Sequence, residues 1–84
     1  MARKNMWGKN SLDERPVTIM FRDINGKKES YLFPNSAAVY QCLSDDKEYF
    51  ENDEILLVQI GESVVYSALA HQPIDFENLL GFFA

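Results

Sequence analysis

Hydrophobic positions along the chain fall into four short strand-like runs and two helical stretches, in the order ββαββα. The first two runs lie in VTIMFRDINGKKESYLF, residues 17–33, where β-branched and aromatic residues flank Asn25-Gly26. Asn-Gly supplies the positive φ values of a two-residue hairpin turn. Folding about that dipeptide pairs Ile24 with Lys27, Arg22 with Glu29, Phe21 with Ser30, Met20 with Tyr31 and Ile19 with Leu32. This register predicts Val17, Ile19, Phe21 and Leu32 on one face. On the other it sets an Arg22–Glu29 ion pair beside Met20, Tyr31 and Phe33.

After Pro34, Asn35 or Ser36 can cap a helix through AAVYQCL, with Val39, Cys42 and Leu43 on its apolar side. The helix can break at Ser44 and restart, because Asp45 and Glu48 have capping-box spacing. Phe50, seven residues after Leu43, returns to the buried side. EILLVQI and SVVYSAL then form a second hairpin about Gly61-Glu62. Its predicted register opposes Ile60 with Ser63, Gln59 with Val64, Val58 with Val65 and Leu57 with Tyr66. In the last stretch, HQPIDFENLLGFFA, Asp75 suits the N-cap, and Phe76, Leu79, Leu80 and Phe83 share a helical face.

The expected fold is therefore α+β: two antiparallel hairpins forming one sheet of about four strands, with two short helices. If both helices cover the same face, the predicted register leaves an apolar sheet surface of Met20, Tyr31, Phe33, Leu57 and Tyr66. That surface would suit a protein partner or a homodimer.

Composition narrows this picture without changing it. The 84 residues allow one domain, and a chain of that length buries only about 60–65% of its unfolded surface. Residues 1–15 read as a flexible basic arm and residues 16–84 as the domain. The arm carries Arg3, Lys4, Lys9 and Arg15 against Asp13 and Glu14, a net +2. The domain holds four basic groups against eleven acidic ones, a net −7. One cysteine, Cys42, excludes an internal disulfide and a cysteine-based zinc site. No signal peptide or membrane span is legible, so the expected location is the cytoplasm.

The acidic segment Ser44–Glu54, SDDKEYFENDE, contains six carboxylates around Tyr49 and Phe50. A calcium loop needs alternating oxygen ligands and a central glycine, and this stretch has neither. Asp45, Asp46, Glu48, Tyr49 and Glu51, with Tyr31, Phe33 and Tyr66, are instead the expected protein-binding residues. An alternative places nucleic acid on Arg3, Lys4, Trp7 and Lys9, a basic patch around a stacking ring; the negative body opposes it. A further alternative is cation binding by the 45–54 carboxylates. Cys42 with His71 and Asp75 contains the residue types of a cysteine nucleophile and its base, but in no nucleophile motif. Nor is there a phosphate-binding glycine loop. The reading is a small acidic interaction module, without catalysis, cofactor or metal. It would inhibit or adapt a basic, nucleic-acid-handling partner, by analogy with small phage and mobile-element proteins.

Overall fold

The computed structural model describes residues 14–84, and the sequence-based assignments to Arg3, Lys4, Trp7 and Lys9 lie outside that range. Seven elements follow in order: β1 (Val17–Arg22), β2 (Lys28–Phe33), α1 (Ser36–Asp45), α2 (Lys47–Phe50), β3 (Glu54–Ile60), β4 (Ser63–Ser67) and α3 (Phe76–Phe82). The strands form one antiparallel sheet in the order β2-β1-β3-β4. The α+β class and the paired hairpins are thus as expected, with one helix more. Asp46 interrupts the first helical stretch, so α2 is a separate turn. Asp45 stays inside α1, and Asp46 caps α2 without a side-chain hydrogen bond, so the expected capping box does not form.

All helices lie on one side of the sheet. Val39 and Leu43 of α1, Phe50 of α2, and Phe76, Leu79 and Phe83 at α3 join Val17, Ile19, Phe21, Val58 and Ile60 in a single core. The caps form as the sequence indicates: Asn35 Oδ1 accepts from the Ala38 N–H at 2.8 Å, and Asp75 Oδ1 from the Asn78 N–H at 2.8 Å.

The first hairpin departs from its expected register by one residue. Asp23 Oδ1 accepts from the N–H groups of Asn25 and Lys27, both at 2.9 Å. The Gly26 N–H donates to the Asp23 carbonyl, and the Asp23 N–H to the Lys27 carbonyl. Gly26 takes φ +85°. These bonds close a three-residue loop, Ile24-Asn25-Gly26, of the kind that ends in a left-handed residue. The Asp23 carboxylate thus overrides the two-residue turn, and the pairs become Arg22 with Lys28, Phe21 with Glu29, Ile19 with Tyr31 and Val17 with Phe33.

A one-residue shift transfers every side chain of β2 to the opposite face. Tyr31 and Phe33 join the helix-covered side, while Leu32 opposes Thr18 on the other face and is 75% exposed. The expected Arg22–Glu29 pair is replaced by Arg22 Nε with Glu54 Oε1 at 3.2 Å. In the second hairpin the two pairs nearest Gly61 are as expected, but an extra residue at Val65 opposes Val58 to Tyr66 and Leu57 to Ser67. Tyr66 consequently packs in the core. A second irregularity, at Leu56 in β3, lets both Ile55 and Val58 face inward. The open sheet surface therefore does not contain Tyr31, Phe33 or Tyr66. It carries Thr18, Met20, Leu32, Leu57 and Gln59, which the register places together.

Candidate docking site

The shifted register of β2 assembles a cleft that no contiguous stretch of sequence contains. Its walls are Phe21 of β1, Glu29 and Tyr31 of β2, Asp23 and Lys27 of the hairpin loop, Tyr49 of α2, and Asp53 of the loop after it, enclosing about 90 Å³. Phe50, buried beneath, sets its aromatic side. The Phe50 ring lies 5.0 Å from Phe21 and edge-on to Tyr31 at 5.3 Å and Tyr49 at 4.9 Å. Edge-to-face pairs of this kind fix ring orientation as well as burying area.

The polar side follows from the tyrosines. The Tyr31 hydroxyl donates to Glu29 Oε1 at 2.7 Å and lies 3.4 Å from the Tyr49 hydroxyl. Lys27 Nζ stands 3.2 Å from Glu29 Oε2. The Tyr31 hydroxyl, then Lys27, hold the Glu29 carboxyl below the usual carboxylate range. Tyr31 is pushed upward by its bond to Tyr49 and next by Glu29. Asp53 is shifted upward, first by burial and then by the negative charges of Asp23 and Glu29. Three carboxylates against one lysine leave the cleft negative between tyrosine walls.

Tyr49, 63% exposed, also borders a shallow surface formed by Ser44, Asp45, Asp46, Lys47 and Glu48. The sequence-indicated residues Asp45, Asp46, Glu48 and Glu51 are all exposed there. Gln41 Nε2 donates to Asp45 Oδ2 at 2.9 Å, and Lys47 turns away to Glu77 at 3.1 Å. Among the described residues neither Glu48 nor Glu51 makes a side-chain hydrogen bond or a close ion pair, although Glu51 lies within electrostatic reach of Lys47.

The sequence-indicated residues thus separate. Tyr31 joins the acidic segment, whereas Phe33 and Tyr66 are core residues at 7% exposure each. Tyr66 instead lines a mainly apolar groove of about 200 Å³ between β4 and α3, with Val58, Val65, Ile74, Asn78, Leu79 and Phe82. None of Asp23, Lys27, Glu29 and Asp53 was indicated by sequence as a protein-binding residue: Glu29 was expected only as the partner of Arg22, and Asp53 only among the 45–54 carboxylates of the cation-binding alternative. The signal that could have found them is Asp23 itself, because an aspartate two residues before Asn-Gly can bind the loop amides.

The residues considered for catalysis take different partners. The Cys42 thiol, half-buried on α1, lies 4.0 Å from Asp46 Oδ2, and burial and then Asp46 and Asp45 raise its pKa. His71 stacks on Tyr66, and its Nδ1 lies 3.1 Å from the Ser67 N–H, while Ser67 Oγ accepts from the Leu69 N–H. Asp75 serves as the helix cap. Among the described residues no three histidine, cysteine or acidic side chains converge so as to hold a metal ion, and no helix is long and apolar enough to cross a membrane.

Comparison with protein-family models, curated proteins and solved structures gives no significant match.

Proposed function

We propose that this chain is a non-catalytic docking module whose acidic, tyrosine-walled end binds a basic segment of a protein partner. The observation that carries this reading is the cleft itself. Asp23, Glu29 and Asp53 supply negative charge, and Tyr31 and Tyr49 supply aromatic faces held in place by Phe50. A lysine or arginine side chain gains from both features, since a cation is attracted to carboxylates and to an aromatic face. Glu48 and Glu51 widen the negative surface beyond the cleft and would raise the association rate more than the affinity. Tyr49 is the side chain best placed to anchor the contact.

The test is a titration of the isotopically labelled protein with a blocked oligolysine peptide, followed by amide NMR shifts. Perturbations centred on Glu29, Tyr31, Tyr49 and Asp53, lost in Tyr49→Ala and weakened by added salt, are expected. Shifts spread evenly over the acidic surface, or unchanged by Tyr49→Ala, would sink the proposal.

A further inference from the structure

The two outer strands of the sheet present different edges. In an antiparallel ladder each residue turns its N–H and C=O to the same side, and successive residues alternate. The bonds Asp23 N–H to Lys27 carbonyl and Gly61 N–H to Pro16 carbonyl fix the phase. Glu29, Tyr31 and Phe33 bond to β1, so Lys28, Ser30 and Leu32 direct their backbone groups away from the sheet. No described residue pairs with that outer side of β2, and its ladder with β1 runs without a register shift.

At the opposite edge, β4 is closed by its own chain. The outward N–H of Ser67 lies 3.1 Å from His71 Nδ1, and the Ser67 carbonyl accepts from the N–H groups of Ala70 and His71 at 3.0 and 2.9 Å. The bulge at Val65 interrupts the rest. Bulges and covering loops are among the ways proteins block strand addition, and β2 has neither among the described residues; Lys28 is the one edge lysine within it.

Resting on the docking reading above, we infer that the outer edge of β2 accepts an extended segment of the partner as a fifth strand, one that alternates basic and apolar residues. Residues opposed across a ladder share a face. A basic side chain opposite Glu29 or Tyr31 lies on the helix side, next to the carboxylate cleft. An apolar side chain opposite Leu32 covers the 75% exposed leucine on the other face. Main-chain bonds to Lys28, Ser30 and Leu32 supply affinity, and the two faces supply specificity, as in other strand-addition complexes. Charge complementarity favours this occupant over a second copy, which would bring another chain of net −5 to the same edge.

The probe is a blocked nonapeptide alternating lysine and valine, compared with a peptide of identical composition whose lysines and valines are grouped in two blocks. Slowed hydrogen exchange at the Lys28, Ser30 and Leu32 amides, with shifts at Glu29 and Tyr49, is expected for the alternating peptide alone. Ser30→Pro removes an outward N–H at an edge position where proline is tolerated, leaving the bonds to β1 intact. It should weaken binding about tenfold through loss of edge hydrogen bonds. Exchange protection in the unsubstituted protein reads the same interaction independently of how that variant folds.

Equal binding of both peptides, without amide protection in β2, would overturn strand addition and leave the docking reading standing. Absence of shifts at Tyr31 and Tyr49 with either peptide would overturn both. A peptide-free dimer by light scattering that Ser30→Pro abolishes would assign the edge to a second copy, overturning the basic segment as its occupant.

Discussion

Neighbouring side chains in the acidic segment have opposite duties. Phe50 is 3% exposed and touches three other rings, whereas Tyr49 is 63% exposed and rests on Phe50 alone among ring contacts. Phe50→Ala should therefore cost about 3–5 kcal/mol, as buried phenylalanine truncations do. Tyr49→Ala should cost less than about 1.5 kcal/mol, the scale of one aromatic pair. Urea unfolding of the two variants checks the contrast; equal losses would contradict it. Titration of the cleft carboxyls is a second expectation. Asp53 is shifted up and Glu29 down, so carboxyl NMR should show Asp53 titrating above the ordinary aspartate value and Glu29 below the ordinary glutamate value. For Asp53 the folded chain holds its proton more tightly than the unfolded chain. That contribution is largest at acid pH and is lost as pH rises through the folded pKa. Asp53→Asn should accordingly raise the melting temperature at neutral pH and change it little in acid.

At the scale of elements, hairpin closure decides which residues can form the cleft. Gly26 holds φ +85°, and a Cβ there would meet nothing within 4 Å. Gly26→Ala should thus destabilise through backbone conformation alone, by about 1–2 kcal/mol. Chemical denaturation measures the loss, and a neutral result would mean that the loop relaxes to another turn. The strands, helices and caps were legible because periodicity, Asn35, Asp75 and the glycine turns are local signals. Register was not. Asn25-Gly26 serves either a two-residue or a three-residue loop, and the choice falls to the Asp23 side chain, whose two hydrogen bonds exist only once the loop has closed. At Val65 and Leu56 one extra residue shifts the pairing, and alternation within a strand does not reveal where such a residue falls.

At the largest scale, the three helices and one sheet of the described residues depend on a single core. The seven-residue α3 would be marginal alone and is held by Leu79, 1% exposed, and its neighbours. Leu79→Ala should cost about 2–5 kcal/mol, a large part of the roughly 4–12 kcal/mol expected for a domain this small. Calorimetry would record it as a fall in melting temperature; a change within the noise would mean that α3 contributes little to the fold. Sequence alone determined the strand order along the chain, the helix caps at Asn35 and Asp75, the burial of Phe50 and the acidity of the 45–54 segment, because each depends on near neighbours in the chain. Only tertiary structure decided that Tyr31 leaves the open sheet face to meet Tyr49, and that Asp23, Glu29 and Asp53 converge beside them. The reason is steric and cumulative: side chains alternate with period two, so one loop residue more or less exchanges the two faces of a strand.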